Sequence, residues 1–415
     1  MSKSIFEGLK IADFTAAIAG PLATRFLAGE GATVVKIECH RYPDPVRLVA
    51  PYKDSIPGVD RSAQFAFYNY SKYSVSLDVN KPQGQEAARR FVQWADVVIE
   101  NMAPGSMEKW GLTYDDCCSI KPDIIYLSSS SLGRTGPLSS YGAWGYHHGP
   151  LVGFSHMTGW PDLLPCVDSI AYTDSVAPSF SVIALVGALL YHRRTGKGVY
   201  IDQSQTEAGA YFLGPAIMDY FANTRTAERA GNRDSHMAPH GVFPCKGEDR
   251  WVAIAVSSQE EWERFCRALD KEEWLQEDKF ATLLDRKLSE DELEHLISEW
   301  TARFSPEEIV SLLQSAGVPA GVVATCEDLF NDPQLKHREH FGQVEHAEVG
   351  TYTYERPSFQ FSKIPPQPQR PAPLLGEHTD MILREFLGYS DDEIAELLIE
   401  GVITTDDDWP DLGSY

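Results

Sequence analysis

The first 130 residues alternate short apolar runs with amphipathic stretches. Leu9–Phe14, Thr33–Glu38, Val97–Asn101 and Ile124–Ser128 are brief and rich in β-branched residues, as strands buried on both faces of a parallel sheet are. Between them Pro21–Ala28 and Lys81–Trp94 read as helices, and Tyr114–Ile120 as a further turn. This βαβ order predicts an α/β fold with a Rossmann-like open sheet and ligands at the carboxyl ends of its strands. The chain just past those ends reads Thr15–Ala17, Cys39–Arg41, Asn101–Met102 and Ser129–Ser131. After the first strand, Thr15-Ala16-Ala17-Ile18-Ala19-Gly20 lacks the glycines that let a pyrophosphate approach the backbone, so NAD or FAD binding is not expected.

A second pattern centres on Ser179–Tyr191, an uncharged stretch that predicts a helix buried on most sides. Pro178 suits its first turn, and Thr195-Gly196-Lys197-Gly198 stops it. Asp174 then falls in a short loop just ahead of the helix. There the positive end of the helix would hold its carboxylate ionised, near the unperturbed pKa of about 3.9. A fixed, ionised carboxylate is a candidate nucleophile. On residue type alone, a helix cap or a solvated loop acid is the commoner role, reactive carboxylates being the minority.

Beyond Val199–Ile201 the chain is expected to leave the sheet. Residues 201–224 read as a linker, with a helix at Gln205–Tyr220 and a polar connector at Thr224–Asp234. Residues 225–325 read as a smaller inserted α+β domain, with a strand at Trp251–Val256 and helices at Glu260–Leu269, Glu290–Thr301 and Pro306–Ala316. Helices are expected in the last segment at Asp380–Phe386 and Asp391–Ile399, and Asp406-Asp407-Asp408 reads as a solvated acidic end.

Composition narrows the class. At 415 residues and 43% hydrophobic content the chain can form two cores. No apolar run reaches bilayer-spanning length and the start shows no targeting pattern. The seven cysteines form no C-x-x-C pair, so a reducing cytoplasm is the expected setting. A net charge of −24 tells against nucleic acid and anionic membrane as partners.

Several ordered motifs carry a resemblance. Gly31-Ala32-Thr33-Val34-Val35-Lys36-Ile37-Glu38, Asp96–Asn101 and Pro122–Tyr126 come first. Then come Asp174 through Thr195-Gly196-Lys197-Gly198 to Glu207, Ala316–Ala320, and Pro373–Thr379. Together, over nearly the whole chain, they resemble the family III CoA-transferases, which include formyl-CoA transferase, carnitine CoA-transferase and, as a divergent branch, the α-methylacyl-CoA racemases. The resemblance implies that residues 330–415 rejoin residues 1–200 in the large domain, and it implies an interlocked dimer, with Asp174 as the catalytic aspartate and Asp168 as its alternative register. It implies coenzyme A as a substrate, with no separate cofactor and no metal. The coenzyme's candidate contacts are Ile18, Arg41, Lys72, Asn101, Lys109 and Arg134.

Arg47–Asp54 with Ile56–Val59 and Arg61-Ser62 is similar to the subunits of succinyl-CoA:benzylsuccinate CoA-transferase. This suggests succinyl-CoA as donor and an aryl-substituted succinate as acceptor, walled by aromatic residues among Phe65, Phe67, Tyr68, Tyr70, Trp144, Tyr146 and Trp160. It also admits a homologous second subunit in place of a homodimer, and a non-catalytic role for this chain. Where formyl-CoA transferase has a glycine-rich shielding segment, Gly231–His236 is not glycine-rich, and His236 and His240 stand as possible polar donors. The racemase alternative needs an opposed histidine. Trp144 occupies that position, with His147 and His148 close by.

Overall fold

A computed structural model of the chain describes residues 4–166, 170–364, 366 and 369–404. The acidic residues 406–408 and the alternative Asp168 lie outside them.

Six strands build one parallel sheet: β1 (Lys10–Phe14), β2 (Thr33–Glu38), β3 (Tyr73–Ser76), β4 (Val97–Glu100), β5 (Ile125–Ser130) and β6 (Val199–Ser204). Their order is β3-β2-β1-β4-β5-β6, the doubly wound arrangement with its topological switch between β1 and β4. Strand alternation sorts the side chains into two cores. Ala12, Val35 and Val98 join Phe91 on one face of the sheet, while Ile11, Val34 and Ile99 join Leu185 and Ala188 on the other.

The expected sheet lacked two of these strands. In β3 the alternate positions are Ser74 and Ser76, both fully buried, so hydrophobic patterning gives no sign of it. The serines instead bind the returning C-terminal segment: Gly376 N–H donates to Ser74 Oγ at 3.0 Å, and Ser76 N–H to Thr379 Oγ1 at 3.0 Å. Strand β6 closes the far edge, paired with β5 from Ile125↔Val199 to Ser130↔Ser204.

The chain divides into two compact units. The first holds the described residues of 1–154, 167–226 and 339–415; the second holds those of 155–166 and 227–338. The segment 201–224 is therefore no linker. It contains the end of β6 and two helices, Gln205–Phe212 and Gly214–Asn223. The single helix expected there breaks at Leu213, just before Gly214-Pro215, because a proline has no N–H to continue the ladder. In the second unit, strands His240–Pro244, Trp251–Ala255 and Ala320–Val322 form an antiparallel sheet. Its core stacks Trp262 on Trp274, with ring planes 9° apart.

The apolar helix spans Tyr172–Thr195, starting seven residues before the expected Ser179 and taking in Asp174 and Pro178. It is long and apolar enough, by length and composition, to cross a membrane, contrary to the expectation that no run would be. One face packs Leu185 and Ala188 into the core, but Ile183 is 66% and Leu190 56% exposed. The expectation of burial on most sides is thus corrected to burial on one.

Candidate active site

The site grows from the carboxyl ends of β1, β4 and β5. The loop after β1 is clamped on both sides. Asn101 accepts from Ala16 N–H at 2.7 Å and donates back to Ala16 O at 2.8 Å, while Asp44 Oδ1 accepts from Ala17 N–H at 3.0 Å. Lys36 completes the clamp with 2.8 Å contacts to Asp44 and to Thr15 O. Ala17 is held at φ 62°, a left-handed conformation that L-residues adopt only when surroundings impose it. Its N–H and that of Ala16 are both committed.

Beside this loop lies a cavity of about 430 Å³ whose wall includes Ile18, Asn101, Ser129, Ser130, Gln205 and Asp174. Asp174 occupies the first turn of its helix, and the start of a second helix, Gly145–Val152, abuts it. The approach is so close that a Cβ on Gly145 would stand 2.0 Å from Asp174 Oδ2, so no larger residue fits there without displacing the carboxylate. Two helix starts therefore converge on Asp174, an arrangement suited to negative charge developing next to it.

The carboxylate is not held ionised as the sequence suggested. It is buried, no cation or hydrogen-bond donor meets it among the described residues, and this desolvation pushes its pKa from 3.8 to about 7. Its charge in turn adds to burial in raising the Tyr68 phenol.

Other wall groups also lack partners. The Ser129 and Ser130 hydroxyls, the Gln205 side-chain oxygen and both ring nitrogens of His148 are buried with no hydrogen-bond partner. His148, 1% exposed, is pushed down to about 4 by burial and then by His147, so at neutral pH it is uncharged.

The residues proposed to touch coenzyme A fall into different places. Ile18, Asn101 and Arg134 line the cavity with Asp174. Arg134 is already engaged: its guanidinium binds Glu100 at 2.8 Å, Ser128 Oγ at 2.6 Å and Met102 O at 2.9 Å. A neighbouring cavity of about 330 Å³, lined by Cys39, Tyr42, Asn80 and Trp110, shares Ala16, Met102 and Ala103 with the first. Lys109 stands at its margin, donating to Asn80 at 2.8 Å, and the exposed Arg41 lies beside Gly401.

Lys72 is the exception. It is buried beneath the site, paired with Asp13 at 3.2 Å and donating to Pro21 O and Asn69. Burial pushes it down to about 8, with Asp13 opposing and Lys36 reinforcing the shift. Fully enclosed, it holds the floor and has no surface to offer a ligand.

Among the proposed aromatic wall residues, Trp144 lines the cavity, whereas Phe65 lies under the Arg47 guanidinium at 3.4 Å. Trp160, His236 and His240 belong to the second unit, where His240 Nδ1 is 2.6 Å from Asn232 O. Sequence reading missed Gly145 and Gln205, which carry no motif of their own and matter only through what they meet.

The pattern of CoA-transferase family III matches residues 6–379. The chain belongs to that family and is a CoA-transferase. It is 31% identical over 401 residues to the human succinyl-CoA:glutarate CoA-transferase, covering 96% of this chain and 89% of that protein. It is 27% identical over 397 residues to the succinyl-CoA–D-citramalate CoA-transferase of Chloroflexus aurantiacus, covering 96% and 98%. Among solved structures, a CaiB/BaiF family protein from Brucella suis superposes with a TM-score of 0.85 at 29% identity, over 93% of this chain and all of that one.

Proposed function

We propose that the chain moves CoA from succinyl-CoA to a carboxylic acid acceptor through covalent intermediates on Asp174. The observation that carries this is a buried carboxylate with no cation beside it, set in a cavity at the strand ends and met by two helix starts. A carboxylate oxygen of Asp174 attacks the thioester carbonyl carbon, the C–S bond breaks, and CoA leaves as thiolate. The resulting mixed anhydride is attacked at Asp174 Cγ by that thiolate, which releases the donor acid and leaves an aspartyl-CoA thioester. The acceptor carboxylate then attacks Cγ, expelling the thiolate again and forming a second anhydride. Attack of the thiolate on the acceptor's own carbonyl yields the new acyl-CoA and restores Asp174. No net proton is consumed, and each step exchanges acyl groups between leaving groups of comparable reactivity.

In this reading the nucleotide end of CoA rests in the smaller cavity near Tyr42 and Trp110. The pantetheine arm crosses the Ala16–Met102–Ala103 ridge common to both cavities. Arg41 and Lys109 supply positive charge locally on a strongly acidic chain. The relatives' succinyl-CoA donors support the donor assignment. For the acceptor, the local similarity around Arg47–Arg61 and the cavity position of Trp144 favour an aryl-substituted succinate such as benzylsuccinate. The exposed apolar helix faces suit a second copy of the chain or a homologous subunit. Seven free cysteines suit a reducing, cytoplasmic setting.

Incubation with succinyl-CoA and no acceptor, followed by hydroxylamine, should convert Asp174 to a hydroxamate visible by peptide mass. A mark on Asp168 would move the nucleophile there. No mark, in a protein that still transfers CoA, would replace the covalent route with a direct one. Wash-in of deuterium at the α-carbon without any acceptor would instead support the racemase chemistry.

A further inference from the structure

The geometry points to a built receptor for a second polar group on the acyl chain. His148, with Ser129, Ser130 and Gln205, holds the distal carboxyl of a dicarboxylic acyl group while its other carboxyl is joined to CoA or to Asp174. This rests on the reading of the cavity as the CoA-transfer centre and names the class of acyl group it takes.

Placement comes first. His148 follows Gly145 by three residues on the same short helix, so the two share a face. Gly145 is the residue whose Cα abuts the Asp174 carboxylate. His148 therefore faces the same cavity about 4.5 Å further along the helix axis, and it lines that cavity together with Ser129, Ser130 and Gln205. The offset places the group it receives a few bonds from the reacting carbonyl.

Chemistry comes second. Five polar atoms of these four side chains are buried without a partner, whereas buried polar atoms are nearly always satisfied. A neutral imidazole offers one donor and one acceptor, and each serine hydroxyl offers a donor. These three protons, one from the imidazole and one from each serine, can converge on a carboxylate and so meet three of the five atoms; the Gln205 oxygen and the second His148 nitrogen remain as acceptors. A wholly hydrocarbon acyl group would leave all five unmet. The cavity's guanidinium, Arg134, is committed to Glu100, Ser128 and Met102, so recognition here rests on neutral groups. A neutral receptor also adds no fixed charge that would hold back release of the free diacid.

The test compares succinyl-CoA with butyryl-CoA, four-carbon acyl groups that differ at the distal end. The rate of hydroxylamine-trapped acylation at Asp174 is measured for the full-length protein and its variants. Wild type should favour succinyl-CoA by about 100-fold or more, as sites that hydrogen-bond a substrate group do. His148→Leu keeps bulk but removes both nitrogens. It should slow the succinyl reaction roughly 10- to 100-fold while leaving the butyryl reaction within about twofold. His148→Gln, which restores a neutral donor and acceptor, should recover much of the preference. If His148→Leu does not fold by circular dichroism, the Ser129→Ala, Ser130→Ala double variant carries the same comparison.

A succinyl-to-butyryl ratio unchanged in the folded variants overturns the receptor and leaves the transferase reading intact. So does equal slowing of both substrates, which marks a structural role. A wild type that is acylated by neither thioester, and transfers no CoA, overturns the transferase mechanism itself.

Discussion

Asp174 shows how far a side chain's chemistry depends on its surroundings. The sequence sets the candidate carboxylate by its register with the TGKG stop that follows it, and gives it an ordinary acidity. Burial alone sets its acidity, and the close approach of Gly145, 29 residues earlier in the chain, is part of that enclosure. No cation meets it among the described residues, so its pKa rises to about 7. On the proposed covalent route Asp174 must be ionised to attack, so kcat/KM should rise with pH and level off above an inflection near 7, and a pH–rate profile reads this directly. The same shift acts on stability. Between pH 3.8 and 7 the native state keeps a proton that the unfolded chain gives up, so this residue makes stability fall as pH rises through that window. The full penalty is present above it and corresponds to about 4 kcal/mol. Asp174→Asn should therefore be inactive yet more stable than wild type at pH 8, with little difference at pH 4. Melting temperatures at the two pH values check this, and a variant destabilised at pH 8 would contradict it.

At the scale of elements, the site depends on a few close fits. Gly145→Ala puts a methyl into space taken by the Asp174 carboxylate. Overpacking of this kind costs about 1–3 kcal/mol. It should lower kcat more than tenfold while CoA affinity changes little, as calorimetric titration would show. Lys72 predicts the opposite split. Lys72→Met leaves Asp13 buried without its partner and should cost about 3–5 kcal/mol in urea unfolding, with CoA binding unaltered in whatever fraction stays folded.

The reading of elements from sequence succeeded where burial is hydrophobic and failed where it is polar. Strands β1, β2, β4 and β5 announce themselves through valine and isoleucine. Strand β3 hides behind two serines that Glu38, His40 and the returning chain end satisfy, and β6 is half-exposed at the sheet edge. The helix that carries Asp174 begins earlier than its sequence suggests, because Pro178 reads as a first-turn residue but sits within the helix.

Considered whole, the molecule presents more apolar surface than its acidic composition implies. Ile183 and Leu190 on the long helix, with Ile217, Met218, Tyr220 and Phe221 on the Gly214–Asn223 helix, are each at least half exposed. Contiguous apolar faces of this kind mark interaction sites. Sedimentation should report a dimer or larger assembly, and Phe221→Asp with Ile217→Asp should shift it toward monomer. A wild type that sediments as a monomer at micromolar concentration would refute the assignment.

The way residues 339–404 return to β3 also fixes an order of events during synthesis. All six strands and Asp174 have been made by residue 204, yet the Ser74 hydroxyl and the Ser76 backbone N–H gain their contacts to the chain end only when Gly376 and Thr379 arrive. The second unit, contained within residues 155–338, is complete first. Domains made earlier in translation generally fold earlier, but here the larger unit is begun first and finished last. A nascent chain halted at residue 338 should be cleaved by protease around β3 and spared within residues 240–322, whereas one extended to residue 404 should resist at both.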